Sequence, residues 1–125
     1  MKTNLDIGYA GEEHASRYLM QKGYLILERN WRSGRNEVDI IAKDAYGLVI
    51  VEVKTRKKNS LVLAEASVDK HKQQRLLKAA TAYIYDNDWN GECRFDVVVV
   101  EMDGPEKFTI RHFEDAFFPN PTDEL

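Results

Sequence analysis

The chain has a single cysteine, Cys93, so it cannot build a disulfide framework, and a reducing compartment is the expectation. It has no apolar run long enough to cross a bilayer. The longest, Leu48–Val51 and Val97–Val100, are strand-sized. Met1 to Tyr9 contains no stretch of signal-peptide length, and a cytoplasmic protein with no membrane partner is therefore expected. Positive charge is not in excess either: net charge is −3. That argues against a non-specific nucleic-acid coat, though it leaves room for a local basic cleft. There is no zinc-ligand spacing, no phosphate-cradling glycine loop and no serine-based triad signal. His14, His71 and His112 are isolated from one another and are assigned solvent-facing or hydrogen-bonding roles. Cys93 is read as a packing residue, and Trp31 and Trp89, beside turns, as packing aromatics.

What is present suits one domain spanning residues 1–125, with a core over about 5–113 and a tail over 114–125. Gly8–Lys22 carries a helical stripe of Gly11, Ala15, Tyr18 and Leu19, and Gly23 stops it. Tyr24–Asn30, Glu37–Lys43 and Leu48–Thr55 read as strands, the last two joined as a hairpin by Asp44–Gly47. Asn59–Ala66 is loose, and Ser67 is the expected N-cap of a helix running to about Asp86. Its apolar stripe is Leu76, Leu77, Ala80, Tyr83 and Ile84. Arg94–Met102 reads as a strand buried on both faces and Lys107–Phe113 as an edge strand. The order α-β-β-β-α-β-β predicts an α/β fold, a central mixed sheet flanked by helices.

The chemistry lies in the hairpin. Pairing Lys43 with Leu48 places Asp39 opposite Glu52, with Cβ atoms roughly 4.5–5.5 Å apart. Two facing carboxylates repel unless a cation lies between them, and a hard dication such as Mg2+ or Mn2+ accepts one or two carboxylates while keeping waters. Lys54 follows two residues on, on the face of Glu52, where it can neutralise charge, orient water or act as a base. The plainer alternative is a solvated cross-strand network in which Lys54 screens the acids. Glu12 falls within roughly 60° of the first helix's stripe centre, with Glu13 toward solvent. Lys72 sits at the margin of the second stripe and Gln73 inside it, and inward polar residues need a partner or a task.

Asp39 followed by Glu52-Val53-Lys54, after a helix carrying Glu12, resembles the PD-(D/E)xK nuclease superfamily. More closely, the chain resembles the YraN-like family of predicted endonucleases, related to archaeal Holliday-junction resolvases. The matching stretches over roughly residues 5–101 are Gly8-x-x-Gly11-Glu12-x-x-Ala15-x-x-Tyr18-Leu19, Gly23-Tyr24-x-Ile26-Leu27-x-Arg29-Asn30 and Glu37-Val38-Asp39-Ile40-Ile41-Ala42. They continue through Val51-Glu52-Val53-Lys54-Thr55-Arg56, Val68-x-x-x-Lys72-Gln73-x-x-Leu76, Ala80-x-x-Tyr83 and Arg94-Phe95-Asp96-Val97-Val98. The resemblance implies a restriction-endonuclease-like fold, a metal held by Asp39, Glu52 and the Val53 carbonyl, a catalytic Lys54, and auxiliary Glu12, Glu37, Lys72 and Gln73. It departs at Asn36, where the family usually has glycine.

The expected function is therefore metal-dependent hydrolysis of nucleic acid, DNA before RNA, with structured or branched DNA suggested by the resolvase likeness alone. Arg56, Lys57, Lys58 and Arg75 are candidate backbone contacts. The alternatives are a nucleic-acid-binding module without turnover, or a protein-interaction domain with a vestigial site. Phe117-Phe118 could dock on the core or on a second copy in a homodimer; the sequence does not choose.

Overall fold

The computed structural model describes residues 4–58, 67–104 and 106–119. The elements are α1 (Asn4–Gln21), β1 (Leu25–Ser33), β2 (Asn36–Lys43), β3 (Gly47–Lys57), α2 (Lys70–Asp86), β4 (Glu92–Met102) and β5 (Phe108–Phe113). The order is the predicted one. The loose stretch Asn59–Ala66 and the last six residues of the predicted tail lie outside the described residues. No helix among the described residues is long and apolar enough to cross a membrane.

The five strands form one sheet in the order β1-β2-β3-β4-β5. All neighbours are antiparallel except β3 and β4, which run parallel and are joined through α2. The two helices cover opposite faces. On one face Leu76, Ala79, Ala80 and Tyr83 of α2 meet Ile41, Leu48, Ile50, Val97 and Val99. On the other, Ala15 and Leu19 of α1 meet Ile40, Val49, Val51, Val98 and Val100. The valine run of β4 is buried on both sides because both helices press on it. Gly23, at φ +94, ends α1, and the Tyr24 N–H returns to the Leu19 carbonyl at 3.0 Å.

Some expectations need correcting. The N-cap of α2 is Asp69, which accepts from the Lys72 N–H at 2.8 Å, and not Ser67. Asp69 directly precedes the helix, where its carboxylate satisfies the first-turn donor. The turn between β1 and β2 takes its left-handed residue at Gly34, φ +60, while Asn36 pairs with Ser33 in the ladder. Asn36 therefore does no glycine-like work. Phe117 is buried and stacks on Phe95 at 5.3 Å, so the start of the tail docks on the core, while Phe118 stays exposed.

A buried ionic network at the Asp44–Gly47 end of the sheet is the main feature missed in the sequence. Asp96 has 0% exposure. It accepts from Arg94 Nε at 2.8 Å and Nη2 at 3.0 Å, from the Asp115 N–H at 3.0 Å, and lies 2.7 Å from His112 Nε2. Arg94 also donates to Asp44 at 3.0 Å and to the Tyr24 hydroxyl at 2.8 Å. Burial works to raise the Asp96 carboxyl, but the donors from His112, Arg94 and Asp115 outweigh it and hold it below the usual range. His112 is thus a buried structural residue.

Two changes test this packing. A Cβ at Gly11 would collide with the Thr55 hydroxyl and methyl, so α1 lies on β3 only because residue 11 lacks a side chain. Gly11→Ala is expected to destabilise by about 1–3 kcal/mol in a denaturant titration, with part of the loss recovered by adding Thr55→Ala. Asp96→Asn removes the charge that Arg94 and His112 surround. It is expected to cost about 3–5 kcal/mol, read the same way.

Candidate functional site

Besides a bulge between Ile26 and Glu28, strand alternation fails where the acids sit. Along β1 and β2, Arg29 and Ile40 are paired, and so are Trp31 and Val38, but Asn30 and Asp39 between them are not. Ile40 packs on the α1 side and Arg29 reaches Glu13 of α1 at 2.7 Å. Trp31 and Val38 pack on the α2 side, the indole edge-on to Tyr83 at 5.2 Å. Regular pleating would place residues two apart on the same face. The left-handed backbone of Asn30, φ 51, is where β1 changes sides.

At the same level β2 and β3 part. Their ladder follows the predicted register, Lys43 with Leu48 through Ile40 with Val51, and then stops. The next backbone donor of β3, the Val53 N–H, is taken by the Asp39 carboxylate at 2.8 Å. A side chain thus replaces the ladder, and Asp39 is held inside the fork between the strands. Glu52 is within hydrogen-bonding reach of it. Burial, followed by the Glu52 carboxyl as hydrogen-bond partner and as charge, pushes the Asp39 carboxyl up to about 8. The Val53 N–H and Lys72 pull the other way.

Glu12 of α1 faces the same fork. Its carboxyl is raised by burial and by Asp39, with Glu37 adding a little, while an Asn30 hydrogen bond and Arg29 oppose the shift. From α2, Lys72 Nζ lies 3.3 Å from Glu52 Oε2; the glutamate side chain is 12% exposed and the lysine 39%. Asp39, Glu52, Glu12 and Lys72 are therefore brought together.

The remaining candidates sit differently. Lys54 shares the Glu52 face but donates its ammonium to the Ser67 carbonyl, at the lead-in to α2. Gln73 does not enter the cleft: its amide donates to the Val68 carbonyl at 2.8 Å, fastening the same lead-in. The buried glutamine of α2 is Gln74, one position on. Glu37 pairs with Arg32 at 3.2 Å on the rim. Glu13, expected toward solvent, ties α1 to β1 through Arg29 and is held below the usual carboxylate range by it. Arg56 is half-buried and folds back on the Thr55 carbonyl. Lys57, Lys58 and Arg75 are exposed. Arg75 is one helical turn from Lys72, whereas Lys58 is roughly 20 Å from Glu52 along the strand. Cys93 is half-buried, and burial raises its thiol to about 11, which suits packing rather than nucleophilic work.

Among the described residues no three His, Cys, Asp or Glu side chains converge as a ready ligand set. Two carboxylates do. Their mutual repulsion, in an all-oxygen setting beside the Val53 backbone, fits a hard dication that keeps most of its water.

The model of the uncharacterised protein family UPF0102 matches residues 11–100. A UPF0102 protein of Flavobacterium psychrophilum is 43% identical over 118 residues, spanning 94% of this chain and 98% of the relative. One from Trichlorobacter lovleyi is 44% identical over 119 residues, 93% of each. One from Lawsonia intracellularis is 38% identical over 113 residues, 90% of this chain and 85% of its own. Among solved structures, Pyrococcus furiosus SfsA in complex with Ca2+ matches 86% of this chain at 16% identity with a TM-score of 0.41. The match spans 62% of that longer chain.

The acidic pair has a measurable signature. A carboxyl raised in the folded state binds a proton there more tightly than in the unfolded chain. Its contribution is present at low pH and is lost as pH rises toward about 8. Asp39→Asn keeps an acceptor for the Val53 N–H and removes the repulsion. In chelator at pH 8 it is expected to gain on the order of 1 kcal/mol over wild type, and little at pH 4, by thermal unfolding.

Proposed function

The chain belongs to the UPF0102 (YraN-like) family, and we propose that its acidic fork is the active site of a divalent-metal-dependent nuclease hydrolysing phosphodiester bonds in nucleic acid. The observation that carries this is the placing of Asp39 beside Glu52 where β2 and β3 separate, held there by the Val53 N–H. Asp39, Glu52 and the Val53 carbonyl would hold Mg2+ or Mn2+. The ion, when bound, supplies Lewis acidity and a water of lowered pKa.

The protein's own groups cover the rest of the reaction. Asp39 and Glu52 fix the electrostatic focus of the cleft, and their preference for a cation is set before any substrate arrives. Lys54, two residues from Glu52 on the same face, is the group to stabilise charge on the phosphate or to accept a proton. To do so its ammonium must leave the Ser67 carbonyl. Glu12, raised by burial and by Asp39, faces the fork where it can orient a water. Arg75 and, farther off, Lys57 and Lys58 offer cations to the phosphate backbone, with half-buried Arg56 behind them. Structured or branched DNA is the proposed substrate class, carried by the resolvase likeness.

One observation favours a second reading, a nucleic-acid-binding module without turnover: Lys54 is committed to a backbone carbonyl rather than to the acids. The two separate on a panel of single-stranded, duplex and branched DNA and RNA, with Mg2+ or Mn2+. Cleavage is expected in wild type, with Asp39→Ala, Glu52→Ala and Lys54→Ala each reducing it by about 10²-fold or more. Undiminished cleavage in those variants would assign the activity to a contaminant. Salt-sensitive binding with no cleavage in wild type would leave the second reading standing.

A further inference from the structure

Among the described residues, the cation paired with Glu52 is an ammonium of the protein itself. Lys72 Nζ lies 3.3 Å from Glu52 Oε2, and its charge also reaches Asp39. It comes from the first turn of α2, whose start is pinned by Asp69 accepting the Lys72 N–H at 2.8 Å. Gln73 fastens the segment before it through the Val68 carbonyl. The helix end is therefore fixed, and what can move is the four-carbon stem of Lys72, which is 39% exposed while its partner is 12% exposed.

We infer that Lys72 is an exchangeable counter-cation: it occupies Glu52 until a divalent ion takes the acids, and once displaced it becomes the contact for the incoming phosphate. The inference rests on the reading of the acids as an ion site given above. A dication brings two positive charges to Asp39 and Glu52, and the lysine is then no longer bound to a carboxylate. The freed ammonium sits at the amino end of α2, the positive end of its dipole, with exposed Arg75 one turn further along. Loading of the acids thus makes the cleft more positive and delivers a phosphate ligand in one step. A lysine that merely braced α2 against β3 would stay on Glu52 in both states.

Binding of Mn2+ to the full-length chain, followed by calorimetry without nucleic acid, tests the exchange. Lys72→Met is expected to bind Mn2+ about threefold or more tighter than wild type, because a competitor has been removed. Lys70→Met, which deletes the same charge from an exposed position two residues away, should change affinity less, and Lys72→Arg should restore the wild-type value. In parallel, reductive methylation of Lys72 in wild type, read by mass spectrometry, should accelerate on saturation with Mn2+. If wild type binds the ion but Lys72→Met is no tighter than Lys70→Met, or Lys72 labels at one rate with and without Mn2+, the exchange is refuted and the ion site stands. If wild type binds no ion at all, the ion site fails and the exchange fails with it.

Discussion

The hydrogen bond from the Val53 N–H to the Asp39 carboxylate is the contact on which the cleft depends. It stands where a ladder bond between β2 and β3 would otherwise be, so the strands are joined through a side chain just as they diverge. A carboxylate built into the backbone pattern cannot swing away from its neighbour to escape repulsion. That is why burial and Glu52 together raise Asp39 so far, and why the fork invites a cation. Glu12, Lys72 and Asn30 are arranged around this fixed point.

The opposite end of the sheet shows how the same fold treats an acid that has only a structural task. Asp96 is more deeply buried than Asp39, yet its carboxyl is lowered rather than raised, because Arg94, His112 and the Asp115 N–H satisfy it from several directions. Two aspartates on one sheet, shifted in opposite directions, mark the difference between a finished network and an unfinished one. The finished one ties β4, β5, the Asp44 turn and the start of the tail together. It gives the other end a rigid frame.

Much of this was legible beforehand. Strand and helix order followed from periodicity, and the hairpin register followed from turn length, which placed Asp39 beside Glu52. What escaped was of two kinds. The change of sides at Asn30 and Asp39 escaped because alternation was assumed to continue through them, although a left-handed asparagine is a common way to break it. The Arg94–Asp96–His112 network escaped because His112 lies on a different strand from Arg94 and Asp96. One signal was available: an aspartate in the otherwise apolar run of β4 must find charged partners or not be there. Helix phase places Gln73 inside the apolar stripe, whereas the buried glutamine is Gln74, because a one-residue error in phase is about 100° of rotation.

The sheet order has a consequence for how the molecule comes together. Three of the four strand pairs are antiparallel with short connections, but β3 and β4 join positions as distant as Glu52 and Val97. The entropy of closing that long loop is the chief non-local expense of the topology, and it scales only slowly with loop length. The β2–β3 hairpin carries both acids and is entirely local, whereas the helix bearing Lys72 lies within the long connection between β3 and β4. The acidic pair is thus a product of short-range pairing, and its basic roof a product of the crossover.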